Sequence, residues 1–106
     1  MVVIWSEQSR NDLKNYAQNS KIITEDKISA YINDLVDYAN SLESNPKLGK
    51  VFYIYKNIKI RQLLYKMHRI FYYIENDEII IIQVVHTSRN VDNTIKYFKD
   101  YFELSF

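Results

Sequence analysis

The stretch of sequence that decides the fold runs from Ile60 to Asn90 and reads I-R-Q-L-L-Y-K-M-H-R-I-F-Y-Y-I-E-N-D-E-I-I-I-I-Q-V-V-H-T-S-R-N. Two runs rich in β-branched and aromatic residues flank Asn76 and Asp77, which are turn-forming residues. Such a pattern predicts a β-hairpin whose turn lies at these two residues. Cationic side chains enter both halves, and cations are costly inside apolar strands unless they pair or bind something.

The predicted turn also sets which residues face each other across the hairpin. It places Glu75 opposite Glu78, Phe71 opposite Ile82, and Arg69 opposite Val84. Side chains alternate between the two faces of a strand, so one face should carry Arg69, Phe71, Tyr73, Ile80, Ile82, Val84 and His86. Arg69 and His86 are then diagonal neighbours within reach of each other, and a slip of one residue would separate them.

Length and composition narrow the class of protein. The chain has 106 residues, and we expect one domain over residues 1–106. It has no cysteine, which excludes disulfides and fits a cytoplasmic setting. No apolar run approaches the roughly 20 residues of a membrane span, so no membrane partner is expected. The sequence also lacks a Gly-rich phosphate loop and metal-ligand spacing, so we expect no cofactor and no metal.

Positive charge is unevenly distributed along the chain. The net charge is only +1, whereas proteins that depend on phosphate contacts usually carry a clear basic excess. From residue 47 to residue 69, however, the sequence has lysines and arginines but no acid. The candidate site residues are Arg61, Arg69, His86 and Arg89. The arginines would stabilise charge on a scissile phosphate while His86 acts as general acid or base; the alternative is that these side chains are solvated or paired at strand ends.

The remaining pattern predicts the element order β-α-α-β-β-β-β-α and an α+β fold. Val2 to Trp5 is a predicted strand. Ser6 and Thr24 are the predicted caps of two amphipathic helices. The first helix is predicted to end at Asn19, Ser20 and Lys21. Four further strands are predicted near residues 50–55, 58–64, 66–74 and 78–86, and a third helix over residues 92–103. Short connections favour an antiparallel sheet with the helical hairpin packed on one face.

Both faces of the long hairpin are apolar, and the helical hairpin can cover only one of them. The predicted core under that hairpin comprises Leu13, Leu35, Val36, Ile70 and Ile81. The third helix would cover part or all of the other face. Any remainder would be an exposed apolar surface, which is typical of a partner-binding site.

Several short motifs follow one another along the chain. They are W-S at residues 5–6, D-L at 12–13, I-x-x-Y-I at 28–32, N-P-K-L-G at 45–49, I-R-Q-L at 60–63, H-R-I-F-Y at 68–72 and V-V-H-T-S-R-N at 84–90. In this order they resemble the ParE/RelE superfamily of bacterial type II toxins, also called plasmid stabilisation proteins, and H-R-I-F-Y is closer to the ParE branch. The resemblance implies a helical hairpin on an antiparallel sheet, and a toxin that a cognate antitoxin wraps and blocks.

The resemblance also implies roles for three residues. Arg61 matches the arginine of the family's R-x-L strand, Arg69 matches that of the H-R-I-F-Y strand, and His86 matches a strand-end histidine of several RelE-like nucleases. RelE-like members cut messenger RNA on the ribosome, whereas ParE-like members act on DNA gyrase. The nucleases often have a tyrosine soon after that last strand, where this chain has T-S-R, and they are more basic.

We therefore expect a toxin that inhibits growth by binding a target through Arg61, Arg69, His86 and Arg89, with DNA gyrase as the family's target. One alternative is a ribosome-dependent endoribonuclease that uses Arg61, Arg69 and His86 on mRNA. A third reading is an inactive family member that only binds its antitoxin. The expected assemblies are a homodimer or a toxin–antitoxin hetero-oligomer.

Overall fold

The computed structural model describes residues 1–20 and 24–105 of the chain. Within them the elements are β1 (Val2–Trp5), α1 (Glu7–Asn19), α2 (Glu25–Asn40), β2 (Lys50–Tyr55), β3 (Ile58–Tyr65), β4 (His68–Glu75), β5 (Glu78–His86) and α3 (Val91–Ser105). This confirms the predicted element order and the α+β class. Lys21, which was predicted to help end the first helix, lies outside the described residues.

Both predicted caps stand at the N-cap positions of their helices. The Ser6 hydroxyl accepts a hydrogen bond from the backbone N–H of Ser9 at 3.1 Å, and so satisfies one of the free donors at the start of α1. Thr24 precedes α2 but makes no side-chain capping bond within the described part of the chain. Glu25 and Asp26 instead place negative charge at the start of α2, where it interacts favourably with the positive end of the helix dipole.

The strands of the described chain form one five-stranded sheet in the order β1-β5-β4-β3-β2. Strands β2 to β5 form the predicted antiparallel meander. β1 lies parallel to β5, with Val2 opposite Glu78 and Trp5 opposite Ile81. The sheet is therefore mixed rather than wholly antiparallel, because the long connection between β1 and β5 allows a parallel pair that a short turn does not.

The turn between β4 and β5 lies where the sequence predicted it. Asn76 and Asp77 have φ angles of 50° and 62°, and Lys56 and Asn57, between β2 and β3, have 45° and 72°. Positive φ at both central residues is the geometry of type I′ turns, whose twist matches that of a hairpin. Asn and Asp tolerate this region better than most residues, which explains why no glycine is needed at the β4–β5 turn.

The predicted register of this hairpin is correct only near the turn. Glu75 opposes Glu78, as predicted. Farther along, β5 contains one extra residue, Ile82, so that Phe71 opposes Gln83 instead of Ile82. This is a β-bulge, and it reverses the alternation of faces for the rest of the strand.

Polar groups of the first helix account for the bulge. The Ser6 hydroxyl donates to the carbonyl oxygen of Ile82 at 3.1 Å, and the Asp12 carboxylate accepts from the backbone N–H of Val84 at 2.9 Å. Both backbone groups would otherwise lose partners where the ladder is disrupted. As a result Arg69 opposes Val85 rather than Val84, and the predicted pairing is wrong at this end of the hairpin.

Apolar clusters lie on both faces of the sheet. The face under the helical hairpin buries Leu35, Ala39, Leu42, Leu63, Ile70, Tyr72, Ile79, Ile81 and Val84. Of the predicted core, Leu35, Ile70 and Ile81 are fully buried, whereas Leu13 and Val36 are half-buried. The other face packs against α3 and buries Ile60, Phe71, Tyr73, Ile82, Val85, Phe98 and Phe102. The third helix therefore covers the apolar centre of the second face.

Candidate functional site

The predicted site residues lie at separate places in the fold. Arg61 on β3 opposes Tyr72, and His86 at the end of β5 opposes His68. Tyr72 and His68 are four residues apart on β4, which separates Arg61 from His86 by about 13 Å along the strand direction. Arg69 lies on the other face of the sheet, because it opposes Val85 of the cluster under α3. The predicted contact between Arg69 and His86 is therefore wrong.

Arg61 holds the loop that precedes β2. Its Nη1 donates to the carbonyl oxygen of Gly49 at 2.8 Å. The hydroxyl of Tyr72 accepts from the backbone N–H of Gly49 at 2.9 Å and donates to the carbonyl oxygen of Pro46 at 2.7 Å. Burial raises the pKa of Tyr72, so its hydroxyl remains a neutral donor at physiological pH. One donor of the Arg61 guanidinium thus serves the fold and fixes the position of its charge.

Arg69 is bound to a neutral neighbour on the face covered by α3. Its Nη1 donates to Oε1 of Gln62 at 2.7 Å. Its Nε is buried and has no hydrogen-bond partner in residues 1–20 and 24–105, and the same holds for Oε1 of Gln83. The sheet itself separates this guanidinium from the histidines.

The two histidines of the chain pack edge to face where β4 and β5 meet the helices. His68 is 4% exposed, and its ring centroid lies 5.4 Å from that of His86, with the ring planes at 81°. Its Nδ1 lies 2.8 Å from the hydroxyl of Tyr31 on α2, and its ring packs against Tyr16 of α1 at 4.6 Å. Burial, and after it the charge of His86, lowers the pKa of His68 to about 4. His68 is therefore neutral at physiological pH.

His86 is the more accessible member of the pair. Its Nδ1 accepts the backbone N–H of Ser88 at 3.1 Å and lies 2.8 Å from the Ser88 hydroxyl. Because the backbone donor makes Nδ1 an acceptor, we assign the proton of the neutral ring to Nε2. An Nε2–H group is suited to donate a hydrogen bond to an anion.

A cleft of about 220 Å³ brings further polar groups to the histidine pair, among them Asp12 and Arg89. The Asp12 carboxylate accepts from the Val84 N–H at 2.9 Å and from the Gln8 amide at 2.7 Å. Burial raises the pKa of Asp12, while these two hydrogen bonds and the charge of Arg89 act in the opposite direction. The cleft thus combines one exposed cation, a hydrogen-bonded carboxylate and two imidazoles.

A comparison with protein families assigns the chain to a class. The model described as the ParE toxin of type II toxin-antitoxin system, parDE, matches residues 3–91. The chain belongs to the ParE toxin family. It is thus a toxin of the type II toxin–antitoxin class, and the predicted membership of the ParE/RelE superfamily, closer to the ParE branch, is confirmed. No curated protein matches the chain.

Two solved structures share the fold of this toxin. The chromosomal ParDE TA system from P. aeruginosa has a TM-score of 0.68 and 17% identity, and the match covers 81% of this chain and 95% of that chain. The toxin-antitoxin complex RelBE2 from Mycobacterium tuberculosis has a TM-score of 0.55 and 17% identity, over 83% of this chain and 92% of that chain. At this identity both similarities concern the fold alone. None of the toxin's described helices is long and apolar enough to span a membrane.

Sequence reasoning found part of the histidine cleft of this toxin and missed the rest. His86 and Arg89 were predicted site residues and do line the cleft, but His68 and Asp12 were not predicted there. Both missed residues lie inside motifs of the family resemblance, D-L and H-R-I-F-Y, which was the available signal. The bulge could not be predicted, and it is the bulge that turns His86 toward His68.

Proposed function

We propose that this toxin inhibits growth by binding a cellular target in the cytoplasm, DNA gyrase by family resemblance, and that a cognate antitoxin neutralises it. The observation that carries the proposal is the dispersal of the three residues: Arg61 lies in the middle of β3, whereas Arg69 and His86 lie near one end of the sheet on opposite faces. A nuclease that used these three residues would need them around one phosphate, because charge stabilisation depends on groups aimed at the same atoms. A protein–protein interface spreads its contacts over a wide area and has no such requirement.

Two observations support an antitoxin partner. The structural neighbours come from the ParDE system and the RelBE2 toxin-antitoxin complex. In addition, the exposed apolar side chains of Tyr38, Leu48 and Leu64 line a groove of about 360 Å³ between α2 and the sheet. Exposed apolar surface of this kind is typical of a partner site, and a partner segment that folds on binding would cover it.

The alternative function is a ribosome-dependent mRNA endoribonuclease, and the histidine cleft favours it. His86 offers an Nε2–H donor, and Arg89 lines the same cleft with a positive charge. An imidazole and a guanidinium in one cleft are suited to hold a phosphate and to move a proton. In this alternative the chemistry takes place in the cleft, and Arg61 and Arg69 lie outside it.

Two assays with the purified toxin distinguish these functions. The first measures supercoiling of relaxed plasmid by DNA gyrase, and the second measures cleavage of an mRNA during cell-free translation. The proposal expects reduced supercoiling that returns on addition of the antitoxin, together with intact mRNA. Cleaved mRNA with normal supercoiling would overturn it in favour of the nuclease.

The variant His86→Gln tests the same question in cells. Glutamine keeps hydrogen-bonding capacity but cannot titrate, and loss of a general acid or base typically costs about 10²–10⁴-fold in rate. A toxin that acts by binding keeps most of its growth inhibition in this variant, as does the matched control Lys96→Gln on the exposed side of α3. Abolished inhibition in His86→Gln alone, with stability and antitoxin binding unchanged, would replace the binding function by the nuclease.

A further inference from the structure

Strands β3 and β4 pair along only part of their length. The ladder runs from the turn between them to Arg61 and Tyr72 and stops there. Beyond this point residues 58–60 pair with β2 and residues 73–75 pair with β5, but no pairing in the described chain joins these two segments. Each segment therefore has backbone N–H and C=O groups on an open inner edge, which is a template for another strand.

A slot of about 320 Å³ lies where the two strands separate. Ile58 and Lys59 line it from β3, Ile74 and Glu75 from β4, and Lys47 from the loop before β2. Its volume is at the lower end of the range for ligand pockets. A helix satisfies its backbone groups internally, so the open edges of β3 and β4 suit an extended segment of chain.

The charges of the slot select among extended segments. The slot is lined by three cationic side chains, those of Lys47, Lys59 and Arg61. Glu75 is the carboxylate among the lining residues, so positive charge is in excess. Arg61 is held in place by its 2.8 Å bond to the carbonyl oxygen of Gly49, so binding costs little side-chain ordering there.

The apolar lining argues for a peptide rather than a nucleic acid. Ile58, which packs against the cluster under α3, supplies surface for an aliphatic side chain, and a phosphate backbone has no such group. A net charge of +1 over the whole chain also gives little of the general attraction that nucleic-acid binding uses.

We propose that this slot binds an extended acidic segment of a protein partner. The segment's backbone pairs with an open edge of β3 or β4, an apolar side chain packs against Ile58 on the face covered by α3, and a neighbouring carboxylate binds Arg61 and Lys59 on the other face. Main-chain pairing gives the affinity, and the alternate side chains give the specificity. The proposal rests on the proposed function only in that the toxin acts through protein partners.

The test uses the full chain and a fluorescein-labelled octapeptide in which valine alternates with aspartate. Fluorescence anisotropy gives its dissociation constant, and we compare a peptide with asparagine in place of aspartate and a single-stranded RNA octamer. The acidic peptide should bind at least about tenfold more tightly than the asparagine peptide, as expected for hydrogen bonds to a charged group. Equal binding of both peptides, or tighter binding of the RNA, would overturn the proposal.

Substitutions place the binding site. Lys59→Gln and Lys47→Gln change exposed side chains, so the fold should be retained, and each should weaken binding of the acidic peptide. Arg61→Gln should raise the dissociation constant of this peptide by about tenfold or more. The matched control Lys14→Gln, an exposed lysine on α1, should leave binding unchanged. Equal affinity of the control and the slot variants would exclude the slot.

Hydrogen exchange supplies a readout that does not depend on charge. Backbone amides of residues 58–60 or 73–75 should gain protection when the acidic peptide is bound, because an open edge becomes paired. Protection confined to other strands would contradict the proposal. Neither gyrase nor the antitoxin takes part in these measurements, so their failure leaves the supercoiling result intact, and the reverse also holds.

Discussion

Protonation of His68 should lower the stability of this toxin in mildly acidic solution. The imidazole is 4% exposed and packs among Tyr16, Tyr31 and His86, where a positive charge is poorly solvated. Its pKa is lowered from 6.5 to about 4 in the folded chain. Folding therefore favours the neutral ring. The stabilisation is complete above pH 6.5, the ordinary pKa of a histidine in the unfolded chain, and is lost progressively as the pH falls from 6.5 to about 4.

The size of the effect follows from the two pKa values. One pKa unit corresponds to 1.36 kcal/mol, so the full loss is about 3 kcal/mol, and about 2 kcal/mol of it falls between pH 7 and pH 5. Most carboxylates remain ionised in that window. A loss of this size is a large fraction of the stability of a small domain.

Urea unfolding at pH 7, 6 and 5 measures the effect. The variant His68→Gln is the control, because glutamine can bond to Tyr31 but does not titrate. The wild-type free energy of unfolding should fall by about 2 kcal/mol more than that of the variant over this range. Parallel pH dependence of the two proteins would refute the reasoning and would show that His68 is solvated in the folded chain.

Three further predictions concern packing and hydrogen bonding. Ile81→Ala should cost roughly 2–5 kcal/mol in thermal unfolding, because Ile81 is fully buried under the helical hairpin, and an unchanged Tm would contradict that packing. Gly49→Ala should lower the free energy of unfolding in urea by about 1–3 kcal/mol, because a Cβ there would lie 2.8 Å from the backbone oxygen of Gln62 and from the Tyr72 ring. An unchanged free energy of unfolding would mean that the loop moves freely. Asp12→Ala should cost about 1–3 kcal/mol because it removes the acceptor of the Val84 N–H, and hydrogen exchange should show that amide losing protection, whereas unchanged exchange would exclude the role of Asp12 at the bulge.

The elements of this fold were predictable because they are set by local pattern. The turn at Asn76 and Asp77, the cap at Ser6 and the period of the apolar positions each depend on a few neighbouring residues, and each prediction is confirmed. The core under α2 was predictable as well, because the helical and strand periods of the apolar positions place Leu35, Ile70 and Ile81 on buried faces.

The arrangement of the site was not predictable, because it depends on contacts between distant parts of the chain. A strictly alternating strand put Arg69 beside His86. The bulge that separates them is satisfied by Ser6 and Asp12, which lie about 70 residues earlier in the sequence. The pairing of β1 with β5 and the burial of His68 between two helices have the same long-range origin.

The extra residue, Ile82, changes which positions of β5 face each side of the sheet. From Glu78 to Ile81 the odd positions face the helical hairpin, and after the bulge the even positions Val84 and His86 do so. Aligning β5 without a gap to a relative that has a regular strand would therefore assign every later residue to the wrong side. Deletion of Ile82 would restore an unbroken ladder and would leave Val85 opposite Arg69 and His86 opposite His68. A regular strand of the present length would instead exchange the environments of Val85 and His86, so a change that removes the bulge without removing a residue is the one that would separate the histidine pair.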